Sequence, residues 1–200
     1  MAQRVAGELY ESITGQLFEL GRQLRQPTGY PFNPVRLKQG LQDLIEGRFA
    51  SGKIYNVKLG GPEMTDQIVV ALRENGLWVN EYVTQENFPL TPHAEEEAEI
   101  EIIDPGCSFS EEEGLEFLKE AGLVRPTYEH ALRFAEQQGM ATISTNKPFV
   151  IFLHEAWLGP DDNRRVLCIY RDPENRELSL CYPDRRFSDS CVLAGVRPRK

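Results

Sequence analysis

The final sixty residues confine this chain to few folds. Pro148-Phe-Val-Ile-Phe-Leu-His154, Arg165-Val-Leu-Cys-Ile-Tyr170, Glu177-Leu-Ser-Leu-Cys-Tyr182 and Cys191-Val-Leu-Ala-Gly-Val196 are short apolar segments rich in β-branched and aromatic residues. Asp172-Pro173-Glu174-Asn175 between the second and third is a turn signal. The spacing predicts an antiparallel β-meander. Helical patterns precede it, and strands that follow helices in this order predict an α+β domain with helices packed on an antiparallel sheet.

Those helical patterns have readable ends. Ser110-Glu111-Glu112-Glu113 is a capping box with acidic residues in the first turn; Leu115, Phe117 and Leu118 form the buried stripe and Gly122 is the stop. A second helix follows with Thr127 as cap, with Ala131, Leu132 and Ala135 facing inward beside Tyr128 or Phe134, and with Glu129, Arg133 and Glu136 outward. Upstream, Lys53-Ile-Tyr-Asn-Val-Lys-Leu59 reads as a strand, Gly60-Gly61-Pro62 as a turn, and residues 65–75 as a helix that Gly76 stops. Leu77-Trp78-Val79 reads as a short extended piece and Ile100–Ile103 as a second strand.

The N-terminal region has a different pattern. Tyr10, Ile13, Leu17, Leu20 and Leu24 recur at alternating intervals of three and four, the seam of a helix packed along a narrow line. A second helix starts at Asn33-Pro34 and carries Val35, Leu37, Leu41, Leu44 and Ile45 on one face, with Gly47 as its stop. Pro27-Thr28-Gly29-Tyr30-Pro31-Phe32 joins the two, and Tyr30 and Phe32 would staple the corner or face a partner. Residues 1–50 are thus expected to be a helical hairpin and residues 51–200 an α+β domain.

Charge is segregated. The net charge is -9, and residues 51–140 hold six basic and eighteen acidic groups, against ten and eight in residues 141–200. The acidic density peaks at His93-Ala-Glu-Glu-Glu-Ala-Glu-Ile-Glu-Ile-Ile-Asp104, which reads as a solvated loop running into a strand, with an acidic docking site as the sharper reading. Such a surface repels phosphate and argues against a nucleic-acid partner. The C-terminal module mixes Arg164, Arg165, Arg171, Arg176, Arg185 and Arg186 with Tyr170, Tyr182 and Phe187. A sheet so decorated would stack single-stranded bases, but seven acidic residues interleave with these arginines, and surface ion pairs are the simpler account. No apolar run reaches the roughly 18 residues that span a bilayer, and the opening residues lack the apolar core of a signal peptide. A cytoplasmic location without a membrane partner is expected. Cys107, Cys168, Cys181 and Cys191 lack metal-site spacing and are expected to be reduced thiols.

Motifs for catalysis are weak. Cys107 precedes a helix start, where the backbone dipole favours a thiolate, and His130 or His154 would have to activate it, with Glu155 or Asp104 as orienting groups. Three glutamates in the same helical turn oppose the thiolate, and His154 reads as an outward residue at a strand end. His154-Glu155 begins like a zinc protease motif, but Leu158 stands where the second histidine belongs. Phosphate-binding glycine loops are absent, and Asp161-Asp162-Asn163 lacks the glycine and glutamate of a calcium loop. The helix pair at 110–139 lacks a basic recognition face for DNA. No cofactor or metal is expected.

KLGG at 58–61, SFSEEEGLEFLKEAGLVRPTYEHALRFAEQ at 108–137, KPFVIFLHEAW at 147–157 and CVLAGVRPRK at 191–200, behind GELYESITGQLFELGRQLRQ, resemble a family of short uncharacterised bacterial proteins. The resemblance implies the two-part architecture and a hairpin that serves as a shared docking element, without an activity, cofactor or catalytic residue. The expected function is therefore non-enzymatic association with a protein partner or with itself, through Tyr10, Ile13, Leu17, Leu20, Leu24, Tyr30 and Phe32. A hydrolase using Cys107 with His130 or His154, and single-strand binding by the C-terminal sheet, are the alternatives.

Overall fold

The computed structural model describes residues 8–25, 41, 53–138, 147–171 and 175–199. The chain divides into two compact units, Met1–Phe49 and Ala50–Lys200. In the first, helix α1 (Glu8–Gln23) carries the heptad-spaced stripe, and Leu24 extends it by donating its N–H to the Leu20 carbonyl. The expected helical hairpin is not shown. Its second helix and its corner, Tyr30 and Phe32 included, lie outside the described residues apart from Leu41, which is helical.

The second unit runs in the order β1 (Lys53–Gly61), α2 (Thr65–Glu74), β2 (Trp78–Val79), β3 (His93–Ile103), α3 (Glu111–Glu120), α4 (Tyr128–Gln138), β4 (Phe149–Ile151), β5 (Trp157–Leu158), β6 (Arg164–Arg171), β7 (Arg176–Cys181) and β8 (Cys191–Val196). Local signals set most of these ends. Ser110 accepts from the Glu113 N–H while the Glu113 carboxylate accepts from the Ser110 N–H, the reciprocal cap that starts α3. Gly76 and Gly122 leave α2 and α3 with φ of 79° and 71°, a left-handed conformation that glycine adopts without a steric penalty.

The antiparallel sheet expected from the sequence is corrected to a mixed sheet of eight strands. Its order is β1-β3-β8-β4-β6-β7-β2, with β5 alongside β6. Strands β6 and β7 do form the hairpin. The last strand leaves the meander: β8 inserts between β3 and β4, antiparallel to β3 but parallel to β4, with Val150 opposite Val192. Strand β2 is parallel to β7. The physical reason lies in the residues of β4, β6 and β8, which are apolar consecutively rather than alternately. In and beyond β4, Val150 and Phe152 enter one core while Ile151 and Leu153 enter another. Leu167 and Ile169 of β6, and Val192 and Ala194 of β8, share the first core; Val166, Cys168, Cys191 and Leu193 share the second. Strands wet on neither face belong at the centre of a sheet.

Helices accordingly cover both faces. α2 and α4 supply Ile68, Val69, Leu72, Ala131, Leu132, Phe134 and Ala135 to the first core, and α3 supplies Leu118 to the second. Phe134 meets Tyr55 edge-on at 5.1 Å and Phe152 at 5.6 Å, which ties α4 to β1 and to the segment after β4.

Four further expectations are corrected. The acidic run is not a loop: it is strand from His93 onward, paired along its length with β1. Arg133 does not face outward but is 4 % exposed, and His154 is 1 % exposed rather than an edge residue. Finally, Cys168 and Cys181 are joined as a disulfide, with Cα atoms 6.1 Å apart. The β6–β7 register sets Cys168 opposite Ser179 and Val166 opposite Cys181, so the two thiols are diagonal neighbours on one face. Cys107 is exposed and free; Cys191 is buried and free.

Candidate functional site

On α1, four of the five stripe residues stay open: Tyr10, Ile13, Leu17 and Leu24 are 41–59 % exposed, and Phe18 beside them is 76 % exposed. Leu20 is half-buried. Heptad spacing places Thr14, Gln16, Gly21 and Gln23 along the two borders of the stripe, and none of them is charged. The charged groups turn away from the seam, where the Arg22 guanidinium forms two short hydrogen bonds with Glu19 (2.8 and 2.6 Å) and holds its carboxyl at about 2.

The catalytic alternative is not assembled. His154 sits among Phe88 and Tyr128, donates from Nδ1 to the Glu155 carbonyl at 2.6 Å, and accepts the Leu167 N–H on Nε2 at 2.8 Å. Burial pushes its pKa down to about 4, so it is a neutral core group with both nitrogens engaged. His130 occupies the third position of α4, where its Nδ1 accepts the Thr127 N–H at 3.1 Å and lies 2.7 Å from the Thr127 hydroxyl. This is one half of a capping box, with an imidazole in place of a carboxylate, and burial lowers its pKa. Among the described residues, no hydrogen bond joins Cys107 to either histidine.

Three of the six arginines singled out in the C-terminal module are held in ion pairs within the chain. Arg164 bridges Glu111 and Asp184 at 2.9 and 2.7 Å; Arg186 pairs with Glu113 at 2.9 Å. Arg165 is 7 % exposed, pairs with Asp161 at 2.6 Å, and lies between the rings of Tyr82, Trp157 and Tyr182 at 5.4–5.5 Å. Phe187 is buried against Phe109, and Tyr170 stacks on Phe149. The rings that would stack bases are already stacked on one another or on arginine.

The sheet edges reveal what sequence reading missed. The outer backbone groups of β1 end on side chains of α4. Gln137 forms a two-way amide pair with Lys58, accepting its N–H at 2.8 Å and donating to its carbonyl at 2.7 Å. Gln138 donates to the Asn56 carbonyl at 2.6 Å, Glu129 accepts the Gly60 N–H at 2.7 Å, and Arg133 donates to the Gly60 carbonyl. Glu63 and Glu136 flank the same guanidinium at 3.2 and 2.9 Å. The spacing 129, 133, 137 is one face of a helix, a signal present in the sequence but unreadable without knowing that a strand edge lay beneath. At the other end of the sheet, β2 is two residues long and Arg73 donates to its Val79 carbonyl at 3.3 Å.

His93 joins this seal. Its Nδ1 lies 3.0 Å from the Ala94 carbonyl and its Nε2 3.1 Å from both oxygens of Glu129. Both partners only accept, so the geometry is that of the doubly protonated ring, and the Glu129 carboxylate raises its pKa.

Comparison with protein families, with curated proteins and with solved structures finds no match for this chain. Among the described residues, no helix is long and apolar enough to cross a membrane, and no three acidic, histidine or cysteine side chains are grouped to hold a metal ion.

Proposed function

We propose that this protein works by protein–protein association through the apolar stripe of α1. The observation that carries the reading is the exposure of Tyr10, Ile13, Leu17 and Leu24 along one face of a regular helix. A heptad stripe is stabilised by a second helix that buries it, and the uncharged borders at Thr14, Gln16, Gly21 and Gln23 present no repulsion to a neutral partner or to a second copy. The closed outer edge of β1 adds support, because strand addition there would first have to displace four side chains of α4.

Replacing Leu17 and Leu20 with Glu places two charges in the seam. Association is expected to weaken by about a hundredfold or more, since each buried unpaired charge costs well above 1.4 kcal/mol. Light scattering on the native and substituted proteins, with circular dichroism as the fold control, reads the result. A native protein whose mass is that of one chain and that carries no partner from its own cell extract overturns the proposal, as does a mass or partner content that the substitutions leave unchanged.

A further inference from the structure

Strand β3 is paired unequally on its two sides. One side meets β1 from the Lys53–Ile102 pair to the Gly61–His93 pair. On the other, β8 reaches only Ile100–Ile103. Beyond β8 the chain's own next residues continue the ladder for a short distance: the Arg197 N–H donates to the Glu99 carbonyl at 2.9 Å, and the Arg199 guanidinium donates to the Glu97 carbonyl at 3.1 Å. No other strand lies on this flank among the described residues. Between His93 and Glu97 every side chain is exposed.

We propose that this flank of β3 takes an extended basic segment of a partner protein by strand addition, continuing the line of Arg197-Pro198-Arg199. The occupant follows from charge and from the segment already seated there. Arg197 pairs with Glu101 at 2.8 Å and approaches Glu99 at 3.9 Å, while Arg199 pairs with Glu96 at 2.8 Å. Arginines two residues apart thus meet carboxylates along the strand while the backbone supplies the ladder. Glu95 and Glu97 lie next along the strand, and the one basic residue opposite them on β1 is Lys58, across from Glu97. An acidic segment is repelled, and an apolar one leaves the carboxylates unmatched. The proposal rests on β3 and on the residues after β8, and not on the reading of α1.

The test uses the full chain and a fluorescent synthetic peptide alternating Arg and Thr, read by anisotropy at physiological salt. A second peptide carries N-methyl groups on alternate amides, which removes the ladder donors and keeps the charge. Binding of the first is expected, with the methylated form about tenfold weaker, the loss that corresponds to a hydrogen bond or two. Glu97→Gln with Glu99→Gln should weaken it by a similar factor, and both residues are exposed, so the fold is retained. The Leu17→Glu, Leu20→Glu protein should bind the peptide unchanged. Equal affinity for the two peptides means charge attraction without strand pairing and overturns the proposal, as does the absence of binding at millimolar peptide.

Discussion

Along the outer edge of β1, Asn56, Lys58 and Gly60 hand their backbone groups to Gln138, Gln137, Arg133 and Glu129 of α4. Along the flank of β3 beyond β8, Arg197 and Arg199 alone among the described residues reach the backbone. These are the same kind of surface, yet the first is closed by side chains whose anchor, Arg133, is itself buried, and the second by a segment whose arginines are 41 % and 63 % exposed. An unpaired edge is a hazard when it attracts any strand, and a closure built into a core is permanent. In the second closure Arg197 reaches the Glu101 carboxylate, which is 6 % exposed, whereas the Arg199–Glu96 pair is open on both sides, so it is the Arg199 end that is worth little energetically.

Breaking the permanent closure should have the largest effect. Arg133→Ala removes the guanidinium from Gly60, Glu63 and Glu136, and about 3 kcal/mol of stability should go with it, measured by urea unfolding. An equal loss from Arg199→Ala, whose pair with Glu96 is exposed on both sides, would erase the difference between the two edges. Gly60→Ala comes next. Its φ is 76°, and an added Cβ would lie 2.5 Å from the Ala94 carbonyl oxygen, so a loss of about 2 kcal/mol is expected from strain and from the shift in the β1–β3 ladder. Gln137→Ala leaves the Lys58 amide and carbonyl to water at the surface, at about 1 kcal/mol, but it reopens the edge. Faster aggregation, monitored by light scattering at matched stability, is the sharper readout there.

The smallest effect concerns His93. Glu129 raises its pKa, so its contribution is complete below the ordinary imidazole value of about 6.5 and is lost as pH rises through the raised folded-state value. Comparing unfolding midpoints of the native protein and His93→Gln across this window should show a gap that narrows with rising pH. A gap of constant size removes the proton from the seal.

Local grammar was legible in the sequence, and partnership was not. The Ser110–Glu113 cap, the glycine stops and the β6–β7 hairpin each depend on residues a few positions apart. Strand β8 joins β3 and β4 across long stretches of chain, and what placed it there was apolar continuity on both faces, a cue that Val192, Leu193 and Ala194 carried. The acidic run hid a strand because its partners are distant: Glu101 meets Arg197, 96 residues away. Arg133 and His154 were misread for a related reason. A polar residue on a helix face or at a strand end reads as exposed until the carbonyl or N–H that satisfies it is known, and here those were Gly60 and Leu167. As for α1, its stripe was plain in the sequence and its exposure was not, because exposure depends on what packs against the helix and not on the helix's own residues.

The amide pair between Gln137 and Lys58 spans 79 residues, and the neighbouring contacts of α4 with the edge span 69 to 82. During synthesis, then, β1 leaves the ribosome well before the helix that covers it. At about 5–20 residues per second, the edge would stand open for several seconds, long compared with the microseconds in which a hairpin forms. The run of glutamates that pairs with the opposite side of β1 emerges in that interval, so the nascent strand first meets a charged partner that discourages neighbouring chains from stacking on it.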